Sequence, residues 1–216
     1  MCIRDRRQVA SVALTLKSLG VKRGDRVAAY MPNVPETMVA FLACSSIGAI
    51  WSVCAPDMGT AAVADRFRQI EPTLLIAVDG VHYGGKPLDR SAVLRELRDQ
   101  LPSVRRLLLV PSPHAAGQVA HDVDWARATA RDDAEVAAFE PEWLPFDHPI
   151  WIVYSSGTTG LPKPIVHGQG GIILTMHACG LHNDVGASYG ANNFGERYHW
   201  YLSLIHISEP TRPERI

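Results

Sequence analysis

PIWIVYSSGTTGLPKPIVHG, residues 149–168, sets an apolar run directly against a cluster of hydroxyls and glycines. PIWIVY reads as a buried strand, because β-branched and aromatic residues fill it without a break. The next nine residues, SSGTTGLPK, cannot continue that strand. Gly157 and Gly160 permit backbone conformations closed to other residues and let a ligand approach the chain. Successive N–H groups in such a loop can converge on an anion. Ser155, Ser156, Thr158 and Thr159 add hydroxyl donors, Lys163 adds a long, rotatable cation, and Pro162 stiffens the exit. KPIVHG then reads as a short returning strand and GGIILTMHACGL as a helix. By composition alone, an anion cradle and an ordinary Ser/Thr/Gly connection are equally good readings of the loop.

Working outward, the rest of the chain alternates strand and helix. Val9, Val12, Leu16 and Leu19 recur at helical spacing, with Gly20 at the C-terminal end. RVAAYM is a strand. A helix is expected from Glu36 to about Ile47, a strand at AIWSVCA, and a helix from about Thr60 to Ile70. TLLIAV is apolar throughout, as in a sheet covered on both faces. A helix is expected over about Leu88 to Gln100, and RRLLLV is the next strand. Between Pro111 and Asp147 prolines, alanines and acids replace the pattern, and long connections are expected there; Asp132, Asp133 and Glu135 read as a solvated surface. The alternation predicts an α/β fold with a mostly parallel sheet flanked by helices.

Composition excludes several classes. The 216 residues carry a formal net charge of -1 and are 47% hydrophobic, so no charge excess argues for nucleic acid or an anionic membrane. The longest apolar stretch, Val39 to Ala55, falls short of the ~20 residues of a membrane span. It reads better as a buried helix followed by a strand. Cys2, Cys44, Cys54 and Cys179 show no CxxC spacing, which fits free thiols in a reducing cytoplasm and no zinc site. His177 and His182 are five residues apart and do not share a helical face, so no metal site is expected. Trp51 and Trp151 are expected in the core.

The two ends have a different character. With codons ATG TGT ATA AGA GAC AG, the opening MCIRDR has a reverse complement that encodes LSLIHI, which is Leu202 to Ile207. Residues 1–6 and 202–216 therefore resemble translated transposase adapter sequence from library preparation, and 7–201 is expected to be an internal fragment.

The loop is not a Walker A motif: Leu161 and Pro162 separate Gly160 from Lys163, and Pro164 follows the lysine. Nor is it GxSxG or GxGxxG. In its residue order, YSSGTTGLPK resembles the phosphate loop of the adenylate-forming superfamily. Together with GVKRGDRVAAYMPNVPETMVAFLACSSIGAIWSVCAPDMG, DRFRQIEP, FDHPIWIVYSSGTTGLPKPIVHGQGG and GLHNDV, it resembles the acetoacetyl-CoA synthetase family. The resemblance covers nearly all of 7–201, weakest over 113–140. Pro164 departs from the usual Ala or Gly.

The resemblance implies a truncated piece of the large N-terminal adenylation domain of a cytoplasmic ligase. Acetoacetate would attack the ATP α-phosphorus, and coenzyme A would then displace AMP. It places Ser155, Ser156, Gly157, Thr158, Thr159, Gly160 and Lys163 around the ATP β- and γ-phosphates, with Mg²⁺ carried on those phosphates. YGGK, 83–86, stands where the related acetyl-CoA synthetases carry an Arg-Gly-Gly-Lys segment that contacts coenzyme A. That makes Gly84, Gly85 and Lys86 candidate contacts, while Tyr83 replaces the arginine; an exposed hairpin-like turn is the competing reading. His167 is a candidate for the acyl or phosphate side of the pocket. The adenine pocket, a ribose-binding aspartate and the catalytic lysine would lie beyond Tyr201. Another short-chain acyl-CoA synthetase, a non-catalytic nucleotide-binding module and an inert truncated chain are the alternatives.

Overall fold

The structure, a computed structural model, describes residues 3–155 and 160–182. Helix α1 (Ile3–Ser18) is followed by β1 (Arg26–Tyr30), α2 (Pro35–Ser46), β2 (Ile50–Cys54) and α3 (Thr60–Phe67), which tightens into a 3₁₀ turn, Arg68–Ile70. Then come β3 (Leu74–Val78), a hairpin of β4 (Gly80–Tyr83) and β5 (Lys86–Asp89), α4 (Ser91–Gln100) and β6 (Arg106–Val110). Short β7 (Val123–Asp124), α5 (Trp125–Thr129) and α6 (Ala134–Ala137) precede β8 (Pro149–Tyr154), β9 (Pro164–Gly168) and α7 (Gln169–His182).

Seven strands form one sheet in the order β7-β6-β3-β1-β2-β8-β9. Every pairing in it is parallel except β8 with β9, which is antiparallel. Strand alternation divides the core in two. Val27, Ala29, Trp51, Leu74, Ile76 and Leu108 point towards α1, α2 and α5. Ala28, Tyr30, Leu75, Ala77, Leu107 and Leu109 point towards α3 and α4, where Phe67, Leu94 and Leu97 are fully buried. Each such side chain contributes about 1.5–3 kcal/mol by leaving water. All five residues of β3 are buried, which accounts for its unbroken apolar sequence. The stretch Val39 to Ala55 is the expected helix and strand, and no helix among the described residues is long and apolar enough to cross a membrane.

Two expectations needed correction. The helix expected from Leu88 begins at Ser91, because Lys86–Asp89 is a strand paired antiparallel with Gly80–Tyr83. Gly84 and Gly85, at φ 58° and 79°, make the tight turn between them. The Asp89 carboxylate then accepts from the Ser91 N–H (3.0 Å) and hydroxyl (2.6 Å), starting the helix. Within 111–147, expected to be loose, Asp124 and Asp133 each cap a short helix by accepting backbone N–H groups. Asp132, Asp133 and Glu135 are exposed as expected, and they pair with Arg7 and Arg131.

Candidate functional site

β1 leaves the sheet through α2 on one face, while its neighbours β2 and β3 leave on the face of α3 and α4. Reversals of this kind open a crevice at the carboxyl ends of parallel strands, where ligands of α/β proteins bind. β8 ends at the same edge, so the Ser155–Lys163 loop hangs there between β8 and β9.

The neck of this loop is closed by its own backbone. The Ser155 N–H donates to the Lys163 carbonyl at 3.0 Å, and the Lys163 N–H donates back to Ser155 Oγ at 3.2 Å. Below the neck the β8–β9 ladder runs from Tyr154 opposite Pro164 to Pro149 opposite Gly168. Gly160 has φ 150°, and a Cβ there would meet nothing within 4 Å, so the backbone rather than crowding favours glycine. Lys163 is exposed at the exit. Ser156, Gly157, Thr158 and Thr159 lie outside the described residues.

Both ends of the loop are also held from α3. The Tyr154 hydroxyl donates to the Arg66 carbonyl at 2.9 Å, and the Arg66 guanidinium lies 5.9 Å from the Tyr154 ring centre. Gln69 Nε2 donates to the Pro162 carbonyl at 2.8 Å. Burial pushes the Tyr154 phenol up to about 12, with the Ser52 hydroxyl pulling the other way. Burial likewise raises Cys54 to about 12, opposed by Arg66. These phenol and thiol groups are neutral at physiological pH, while Arg66 and Lys163 set a cation at each end of the loop. Sequence reasoning did not single out Tyr154, Gln69, Arg66 or Ser52. The signals were indirect: Arg66 and Gln69 fall in the DRFRQIEP segment, Tyr154 opens YSSGTTGLPK, and Ser52 lies in AIWSVCA.

Other candidates are more dispersed. Gly84, Gly85 and Lys86 form the exposed tip of the β4–β5 hairpin, so the hairpin-turn reading holds for their geometry. The hairpin leaves the carboxyl end of β3, three strand spacings or ~14 Å from β8 in the sheet order. His167 is exposed on β9 opposite Trp151, below the neck. Trp51 is buried as expected, 2% exposed. Trp151 is only partly buried, and its indole N–H finds no acceptor among the described residues. Both tryptophans line an apolar cavity of about 480 Å³ with Met31, Met38, Phe41 and Val53.

A mostly parallel α/β sheet with a hydroxyl- and glycine-rich loop at a strand's carboxyl edge defines a class of nucleotide-binding architectures. Within it, this chain belongs to the AMP-binding enzyme family, which it matches over residues 6–211. It is 40% identical over 176 residues to the acetoacetyl-CoA synthetase of Xenopus tropicalis, covering 78% of this chain and 26% of the relative. With the acetoacetyl-coenzyme A synthetase of Rhizobium meliloti (strain 1021) it shares 45% over 168 residues, 77% of this chain and 26% of the relative. The solved acetoacetyl-CoA synthetase from Streptomyces lividans superposes with a TM-score of 0.77 at 46% identity, covering 88% of this chain and 30% of that one. The chain thus spans about a quarter of the length of the curated relatives it matches.

Proposed function

We propose that this chain carries the ATP phosphate loop of an AMP-forming acetoacetate–CoA ligase. The observation that carries the reading is the placement of Ser155–Lys163 at the carboxyl edge of β8 with its neck hydrogen-bonded shut. The relatives are acetoacetyl-CoA synthetases, and the choice of substrate follows them. Both partners of the first step, a carboxylate and a triphosphate, are anionic. Preorganised donors and a cation are what such a reaction needs to bring them together. Ser155, Gly160 and Lys163 hold the loop's two ends, and Ser156, Gly157, Thr158 and Thr159 would supply its remaining donors. Among the described residues no three His, Cys, Asp or Glu side chains converge on a metal position. The magnesium would arrive on the phosphates rather than in a protein cage. The Gly84–Gly85 turn lets backbone approach a nucleotide, with Lys86 as its cation, and we assign coenzyme A to it. His167 would face the loop's acyl or phosphate side only if the loop folds back towards β9.

Binding of MgATP to the 216-residue chain, measured by calorimetry with Lys163→Ala as control, tests the loop. Equal affinity of the two proteins would refute the assignment. Substrate identity is tested on the complete gene with acetoacetate, acetate and propionate; preference for acetate or propionate would make it another short-chain acyl-CoA synthetase. The 216-residue chain alone should release no pyrophosphate with acetoacetate and ATP above a Lys163→Ala control. We also hold residues 1–6 and 202–216 to be adapter translation. The family match runs to residue 211, so sequencing the source locus through both junctions decides the point. The thiols of Cys44 and Cys54 are free and buried, which suits a reducing compartment.

A further inference from the structure

We propose that the end of α3 and the 3₁₀ turn that follows it, Arg66 to Gln69, form a positioning clamp for the Ser155–Lys163 loop, gripping it at entry through Tyr154 and at exit through Pro162. The proposal rests on the reading of that loop as a phosphate binder.

The two grips are chemically different and both are directional. At the entry, Tyr154 is 6% exposed, and its hydroxyl has one proton, which it gives to the Arg66 carbonyl at 2.9 Å. At the exit, Gln69 Nε2 faces two carbonyl oxygens, Asp65 and Pro162, each at 2.8 Å. Both partners are acceptors only, so the amide must present its NH₂ there, and both N–H groups are used. One donation anchors the side chain to its own helix turn, and the other reaches 93 residues along the chain to the loop. Arg66 is itself fixed by donating from Nη1 to the Ala62 carbonyl at 2.6 Å while it lies over the Tyr154 ring. The loop's neck has two hydrogen bonds of its own, both between Ser155 and Lys163. Those close the loop, and the β8–β9 ladder carries its two ends as far as Tyr154 and Pro164. The two bonds from the end of α3 and its 3₁₀ turn add a tie to the helix layer, because they hold residues on opposite sides of the neck to one turn. Donors aimed at an anion work only when held to within a fraction of an ångström. Gln69 and Tyr154 are therefore positioning residues, neither of which has to touch the nucleotide.

The test uses the 216-residue chain and three variants: Gln69→Glu, Tyr154→Phe and Lys163→Ala. Gln69→Glu keeps the shape but turns two donors into acceptors facing carbonyls. It sits on an exposed side chain and is compatible with folding even where Tyr154→Phe is not. Amide hydrogen exchange at Ser155 and Lys163, MgATP affinity and thermal midpoint are read together. The clamp predicts exchange at these two amides about fivefold faster, the loss expected for one hydrogen bond. MgATP affinity should weaken by a similar factor, with exchange in β1–β3 unchanged. Acceleration spread over the whole sheet would mean a merely structural role and overturn the proposal. So would unchanged exchange at the neck or, where wild type binds MgATP more tightly than Lys163→Ala, faster exchange with unaltered affinity. If wild type and Lys163→Ala bind MgATP equally well, the phosphate reading has failed. In that case, or if neither binds, neck exchange alone decides whether the clamp exists.

Discussion

Replacing Ser52 with alanine should destabilise the chain through one hydrogen bond that stands in for a missing stretch of ladder. β1 pairs with β2 over five residues, and β3 with β6 over five. β2 meets β8 at only two positions, Trp51 with Trp151 and Ser52 with Ile152. At that short junction the Ser52 hydroxyl, fully buried, donates to the Ile152 carbonyl at 2.9 Å. Alanine keeps nearly the same volume, so no cavity of consequence forms and the loss is polar. Removing the bond costs about 1 kcal/mol net, rising towards ~2.5 kcal/mol if the buried carbonyl is left short of a partner. In a chain of this size 1 kcal/mol moves the thermal midpoint by about 2–4 °C, so a drop of roughly 2–10 °C is expected. Urea unfolding by circular dichroism should show the lower midpoint at unchanged m-value, since the exposed area is the same in both proteins. A change under about 0.5 kcal/mol, the scatter of ordinary surface substitutions, would show that the β2–β8 junction does not depend on this hydroxyl.

Gly80→Ala should cost about 1–3 kcal/mol, because its Cβ would stand 2.8 Å from Ala115 N and His114 C, both backbone atoms. Gly171→Ala in α7 meets nothing within 4 Å and should leave the melting temperature unchanged or raise it, since alanine favours a helix interior by about 1 kcal/mol; paired thermal melts check the contrast. Alkaline stability follows from burial of Tyr30 and Tyr154, both pushed up to about 12, and of Cys54, also to about 12. Their folded values exceed the unfolded ones, near 9 for the thiol and 10 for the phenols, so the native state holds protons that the unfolded state gives up. Stability is thus intact below pH 9 and falls from there towards pH 12. Urea midpoints at pH 8, 10 and 11 should decline in that order, and a flat series would refute it.

How far the sequence could be read depended on whether neighbours along the chain or across it set the structure. TLLIAV and RVAAYM declare themselves as strands because burial on both faces leaves almost no polar position to confuse the pattern, whereas PIWIVY, half-buried at alternate residues, does so by its β-branched and aromatic composition. The β4–β5 hairpin was legible only as one of two readings of YGGK, and Leu88 and Asp89 were assigned to the following helix, because its strands are four residues each and mostly exposed, so hydrophobic periodicity is absent from β5. Two consecutive glycines were the local signal. The loop that we propose binds phosphate was legible because its candidate donors are consecutive in sequence. Its supports were not: Gln69 reaches Pro162 across 93 residues and Ser52 reaches Ile152 across 100, and no local pattern announces such pairs.

Those supports converge on β8 for a reason in the topology. β8 is the strand at which the parallel sheet turns antiparallel, and its loop must project from a junction with few ladder bonds on the β2 side. On the other side lies β9, whose Ile165 and Val166 are exposed and whose only strand partner among the described residues is β8. Main-chain pairing therefore ties the base of the loop to β9 far more than to the parallel sheet. Side-chain bonds from two separate elements add those ties: Ser52 of β2 holds the body of β8, and the end of α3 with its 3₁₀ turn holds its tip. Combining Ser52→Ala with Gln69→Glu should then give losses in MgATP affinity that exceed the sum of the single effects, because each bond limits the freedom that the other leaves. Additive losses would mean that the two supports act on the loop independently.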